Sequence, residues 1–293
     1  MTDAMTGAGV RFSQSSSLLS RAMDLIEEGP QPTSRIAGRV FGVQSGPPGL
    51  AARMVFELLA EDRRVRVDAD GVWRLAADAS REDRPLDSLS YVVVDVETTG
   101  IPVSQGGRII EIAAVQVRDG AIRDEFATLI NPDVPIPRWV SHLTGISHAM
   151  VASAPRFEEV CDQVRRMLEG RVFVAHNAAY DWAYVSAEMR RASLTVPSGP
   201  RLCTVRLARR ALPGVRRRGL DSLAAFYGIE IEGRHRAEGD ARATALLLLL
   251  LLQEADRQGV ARWGELQSWL GRPGSRARRG PKRRRGPGGK GAP

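Results

Sequence analysis

Three short stretches of this 293-residue chain hold acids and histidines at spacings that could do chemistry. Residues 91–100 read Tyr-Val-Val-Val-Asp-Val-Glu-Thr-Thr-Gly and place Asp95 and Glu97 two apart. Residues 171–181 read Arg-Val-Phe-Val-Ala-His-Asn-Ala-Ala-Tyr-Asp, with His176, Asn177, Tyr180 and Asp181 at the end. Residues 235–240 open on His235 and close on Asp240. Val92, Val93, Val94 and Val96 make the first stretch a strand, and its apolar run predicts burial on both faces. Strand side chains repeat every second residue, so both carboxylates point to one side. Like charges held together at the edge of a core repel and lose hydration unless a cation lies between them. Each stretch alone also has a plainer explanation. Asp95 and Glu97 could end an exposed strand, Asp181 could be an N-cap and Asp240 a first-turn acid, with His235 a loop residue.

Together, Asp-x-Glu-Thr-Thr-Gly, His-Asn-x-x-Tyr-Asp and His-x-x-x-x-Asp, in this order, resemble the DEDD 3′–5′ exonucleases of the histidine-bearing (DEDDh) subclass. The nearest likeness is to the branch that includes the proofreading epsilon subunit of bacterial DNA polymerase III, over residues 89–255. Leu143-Thr144-Gly145-Ile146 is similar to the loop before the second motif of that family. The resemblance implies an α/β fold, a ribonuclease-H-like mixed sheet flanked by helices. It makes Asp95, Glu97, Asp181 and Asp240 ligands of two divalent cations, Mg²⁺ or Mn²⁺, and His235 the general base.

The chemistry accounts for those residue types. A phosphodiester repels an anionic nucleophile until cations neutralise it, and two of them about 4 Å apart can serve both the attacking and the leaving oxygen. Hard divalent cations prefer carboxylate oxygen, and an imidazole titrating near neutrality suits proton removal from water. As substrate contacts the resemblance nominates Thr98, Thr99 and Gly100 along the terminal nucleotide, and Leu143, Thr144, Gly145 and Ile146 against its base. His176, Asn177 and the Tyr180 ring join them, although His176 and Asn177 could equally orient the strand end. Arg216, Arg217 and Arg218 offer a path for the incoming strand, or a solvated loop. The expected reaction releases nucleoside monophosphates from single-stranded 3′ ends, with DNA the preferred polymer, in proofreading or repair. The same site on RNA, or an inert nucleic-acid-binding adaptor, are the alternatives. Cys203, before Thr204, departs from the Asp common in relatives.

The elements that must position these residues follow from pattern. Residues 1–14 are small and polar and read as disordered. Helices are expected over Ser15–Glu28, Arg35–Phe41 and Leu50–Ala60, followed by a hairpin at Asp68-Ala69-Asp70-Gly71. Three helices and a hairpin over residues 15–76 are the order of a winged helix. That segment offers docking on DNA, or on a DNA polymerase or repair protein. Residues 77–87 read as a linker and residues 88–271 as the exonuclease domain. Strands are expected over Tyr91–Val96, Arg108–Val117, Ala121–Ile130 and Arg171–Ala175. Helices are expected over Phe157–Leu168, Asp181–Arg191, Thr204–Ala211, Leu220–Tyr227 and Gly239–Gln258. The last carries seven consecutive leucines and reads as apolar all round and buried.

Charge divides unevenly. Residues 1–87 carry −2, residues 88–271 +1, and residues 272–293 +9 from seven Arg and two Lys. That Arg/Gly/Pro tail reads as a disordered basic extension able to touch phosphates. Two cysteines outside any CxxC pair, no signal-peptide pattern and no long apolar run fit a cytoplasmic protein without a membrane span.

Overall fold

The computed structural model describes residues 17–43, 49–76 and 81–271. The expected disordered N-terminus and the basic tail lie outside them. Helix α1 spans Ser17–Glu27 and turns Leu19, Ala22, Met23 and Ile26 inward at helical spacing. Gln31–Pro32 follows as β1, too short to carry a period and absent from the sequence expectation. Helix α2 (Thr33–Ile36) starts two residues before the expected helix and continues as a π-helical turn to Phe41. Helix α3 (Leu50–Leu59), β2 (Val65–Val67) and β3 (Val72–Leu75) complete this unit. The hairpin pairs Val67 with Trp73 and Val65 with Leu75, and β1 adds to the other edge of β3. Trp73 and Leu75 close its core against α1, α2 and α3.

The larger unit opens on β4 (Tyr91–Thr98), β5 (Ile109–Arg118) and β6 (Ala121–Leu129), an antiparallel meander as expected. Next come α4 (Arg138–Thr144), α5 (His148–Val151), α6 (Phe157–Leu168), β7 (Val172–Ala175) and α7 (Ala178–Arg191). Strand β8 (Arg201–Cys203) then leads into α8 (Thr204–Ala211), α9 (Leu220–Tyr227), α10 (Ala237–Arg257) and α11 (Trp263–Gly271). The sheet order is β6-β5-β4-β7-β8, with β7 parallel to both of its neighbours. Val92, Val94 and Val96 pack against α6 and α7, while Tyr91 and Val93 face α8, α10 and α11. The result is the expected mixed sheet flanked by helices, with β4 covered on both faces.

Two expectations change. Helix α10 is not apolar-buried all round: Leu247, Leu248, Leu251 and Leu252 are buried, but Leu246 is 39% exposed. A seven-residue leucine run circles the helix almost twice, so one edge must leave the core. The segment after residue 80 does not cross open solvent as a linker. Leu86 is buried, its N–H donates to the Ala261 carbonyl (2.9 Å), and Trp263 N–H donates to the Arg84 carbonyl (3.1 Å). Residues 77–80 of the expected linker lie outside the described residues. No described helix is long and apolar enough to cross a membrane.

The smaller unit rests on the larger through acids at the end of α1. Arg201 of β8 is buried, with Nη2 3.2 Å from Glu27 Oε2 and Nη1 3.7 Å from Asp24 Oδ1. Its guanidinium lies 5.1 Å from the Trp182 ring centre, and Arg206 donates to the Glu28 carbonyl at 2.9 Å. Burial pushes Glu27 up from 4.5 to about 7, with Arg201 opposing it. A carboxyl that holds its proton more tightly when folded contributes stability below its unfolded value and loses it as pH rises through about 7. Arg201→Met leaves that carboxylate unpaired, so it is expected to cost about 3–5 kcal/mol at pH 8. The loss should be smaller at pH 5.5, where Glu27 is protonated. Urea unfolding at both values checks this, and equal losses would contradict it.

Candidate active site

Strand β4 joins the antiparallel half of the sheet to the parallel half. Its pairing with β7 runs only from Tyr91–Val172 to Val93–Val174, and β7 stops at Ala175 while β4 continues to Thr98. A crevice therefore opens beyond the carboxyl ends of these strands, where α/β sheets bind ligands. Asp95 and Glu97 stand at its rim, on one side of β4 as the period of two demands.

The other three residues reach the crevice through local backbone turns. Asn177 adopts a left-handed conformation (φ 86°) and turns β7 into α7. Asn177 takes the N-cap position, and Asp181 lies one turn into the helix, buried. His235 is also left-handed (φ 64°), directly before α10, and its N–H donates to Asp240 Oδ2 at 3.3 Å. One ligand atom each from Glu97, His235 and Asp240 lies within 4.8 Å of the other two.

Electrostatics mark the cluster as unfinished without a cation. Burial raises Asp95 well above the usual carboxylate range, and the charges of Asp181, Asp240 and Glu97 raise it further. Burial, then Asp240 and Glu111, push Glu97 up to about 8. Burial also pushes Asp181 up to about 7 and raises Asp240, which Arg234 opposes. Asp240 Oδ1 is buried and has no hydrogen-bond partner. Hard oxygen donors, mutual repulsion and an orphaned carboxylate oxygen fit a divalent cation.

The nominated substrate residues divide into two groups. Thr98 Oγ1 lies 2.8 Å from the Tyr180 hydroxyl, and the Tyr180 ring is exposed at the crevice. Gly100 is left-handed (φ 70°), and a Cβ there would come within 2.2 Å of the Trp139 ring, so glycine lets that indole lie flush on the turn. Leu143 is exposed at the end of α4 rather than in a loop, and Gly145 is the left-handed residue that ends the helix. The remaining side chains are occupied by the fold. Thr99 is buried and accepts the Arg108 N–H (3.1 Å), Thr144 bonds to the Val140 carbonyl (3.0 Å), and Ile146 is packed among Ile110, Val140 and Val151. Both His176 nitrogens are engaged, Nδ1 with Thr204 Oγ1 (2.8 Å) and Nε2 with the Arg218 carbonyl (3.0 Å).

Sequence reasoning passed over four supporting residues. Glu111, opposite Glu97 in the sheet, accepts the Ala237 N–H (2.9 Å) and both forks of Arg236, fixing the first turn of α10. An acid inside an otherwise apolar strand was its visible signal. Arg234 bonds to Asp240 and, at 2.5 Å through Nε, to Asp221. Its position beside His235 was the signal there; Asp221 gave none.

Comparison with known proteins agrees with this fold. The Exonuclease family model (RNase_T) matches residues 92–248, more than half of the chain, and the chain belongs to that family. The 3′-5′ exonuclease DinG of Bacillus subtilis is 39% identical over 164 residues, 56% of this chain and 18% of its own length. A PolC-type DNA polymerase III of Caldanaerobacter subterraneus is 36% identical over 180 residues, 61% of this chain and 13% of its own. The chain thus spans less than a fifth of either relative. Escherichia coli Exonuclease I, solved with a dT13 oligonucleotide, superposes with a TM-score of 0.52 at 16% identity. That match covers 58% of this chain and 42% of the other, and it shows a shared fold.

Proposed function

We propose that the protein is a metal-dependent 3′–5′ exonuclease that hydrolyses the terminal phosphodiester of single-stranded DNA and releases nucleoside 5′-monophosphates. The observation that carries this is the close approach of Glu97, His235 and Asp240 in the crevice beyond β4 and β7, with Asp95 and Asp181 within electrostatic reach of them. Asp95, Glu97, Asp181 and Asp240 would hold two divalent cations, Mg²⁺ by preference or Mn²⁺. When bound, these supply charge neutralisation at the phosphate and a more acidic water.

The chain's own groups do the rest. His235 takes the proton of the attacking water, from a backbone turn that Asp240 braces. Glu111 and Arg236 hold the start of α10, so the imidazole and Asp240 keep one relative position. Tyr180, Trp139 and Leu143 offer apolar surface to an unpaired terminal base. The exposed Arg216 and Arg217 directly precede Arg218, whose carbonyl His176 contacts, and they suit the phosphates of the following nucleotides. A strand held by stacking and phosphate contacts is single-stranded at its 3′ end.

The likeness to relatives named 3′-5′ exonuclease DinG and PolC-type DNA polymerase III supports a role in proofreading or repair. The smaller unit, with three helices and a β1-β3-β2 sheet, serves in this proposal as a winged-helix-like module for a polymerase or repair partner.

The test uses 5′-labelled single-stranded DNA and RNA of one sequence, with Mg²⁺, Mn²⁺ or EDTA. The expected result is a ladder shrinking from the 3′ end, absent with EDTA and faster on DNA. Faster loss of RNA would replace the substrate class, and no cleavage of either would favour a nucleic-acid-binding adaptor.

A further inference from the structure

Arg234 occupies an unusual position for a cationic side chain. Its Nη1 bonds to Asp240 Oδ2, the partnered oxygen of a carboxylate nominated as a cation ligand, and lies 3.3 Å from His235 Nδ1. Its Nε and Nη2 meet the two oxygens of Asp221, at 2.5 and 3.3 Å. Asp221 is largely exposed on α9, whereas Asp240 is buried, so the guanidinium bridges the rim and the floor of the crevice. A guanidinium only donates, so His235 Nδ1 accepts in this contact. A neutral imidazole then carries its proton on Nε2 and has no free lone pair with which to accept another.

We infer that Arg234 is a resident cation of the resting site, a positioning residue that holds Asp240 and the His235 lone pair until metal and substrate displace it onto Asp221. The inference rests on the nuclease reading of the crevice. A fixed positive charge within the cluster offsets repulsion among Asp95, Glu97, Asp181 and Asp240, and it competes electrostatically with an entering cation for the same carboxylate. Asp221 provides the place to which the guanidinium withdraws. Removing the charge should therefore tighten metal binding, and removing the tether should weaken it. A general loss of packing would weaken both.

The experiment titrates the full chain with Mn²⁺ at pH 8, without nucleic acid, by the loss of free-ion electron spin resonance signal, and records melting of the metal-free protein. Arg234→Gln is expected to lower the Mn²⁺ Kd about tenfold, by loss of a unit charge beside the ligands, and to lower the metal-free melting temperature. Saturating Mn²⁺ should restore that temperature. Arg234→Lys keeps the charge and should bind Mn²⁺ within about twofold of wild type, on the same Coulomb argument. Asp221→Asn should raise the Kd severalfold. Shifts of the same sign in Arg234→Gln and Asp221→Asn, or no shift in either, overturn the resident-cation assignment while leaving the nuclease intact. Wild-type protein that binds no Mn²⁺ overturns both.

Discussion

Asparagine at position 95 is expected to reduce cleavage about a thousandfold or more while raising the melting temperature of the metal-free protein. Asn is nearly isosteric with Asp, so β4 should keep its register with β5. What changes is a buried carboxyl whose ionised form is disfavoured by burial and by Asp181, Asp240 and Glu97. Losing a ligand forfeits several kcal/mol of charge stabilisation in the reaction, and each 1.4 kcal/mol, roughly, is a factor of ten in rate. The same change relieves repulsion when no cation is bound, so the resting fold gains. Single-turnover cleavage of 5′-labelled DNA and calorimetric melting in EDTA check the two halves separately. Activity near wild type would remove Asp95 from the ligand set. A fall in metal-free stability would show that the carboxylate packs as an ordinary core group.

The second large effect is expected at His235. His235→Ala should slow the chemical step by about 10²- to 10⁴-fold, the usual contribution of a positioned general base. Geometry alone leaves the imidazole two roles, because its nitrogen lies as close to the Glu97 and Asp240 oxygens as a ligand would. Mn²⁺ affinity separates them. A base can be removed with the Kd unchanged within about twofold, whereas loss of a ligand weakens binding by a factor on the order of ten or more. We expect the first result.

The acids were legible in the sequence because their chemistry depends on residue type. Asp95 and Glu97 interrupt a run of valines, and His235 and Asp240 bracket the start of a helix. The strands and long helices were legible because they bury one face and so carry a period. Beside α4 and α11, three of the elements missed are too short to have one. Strand β8 is three residues long and follows Pro200; α5 has four residues, and β1 two. Their positions come from what they meet in space. Arg201 illustrates the limit: in sequence it is one arginine among many, and only folding sets it against Glu27 and Trp182. Counting charge along the chain hid this, because Asp24, Glu27 and Glu28 add to a net −2 that points to no partner. His176 was read with two options, and both of its ring nitrogens are hydrogen-bonded within the fold, to Thr204 and to the Arg218 carbonyl.

The order in which the crevice is assembled along the chain carries a further meaning for its biosynthesis. Asp95 and Glu97 are made early, on a strand that can pair with β5 at once, while His235 and Asp240 arrive only with α10. Glu111, also made early, waits for Arg236 and the Ala237 N–H. A nascent chain that ends before Arg234 thus has three of the acids, Asp95, Glu97 and Asp181, and neither the imidazole nor the Arg234 charge. Contacts this distant in sequence form late and together. In the proposed reading, a chain cut short before α10 therefore lacks Asp240, and the candidate site is completed in the same event that closes the domain.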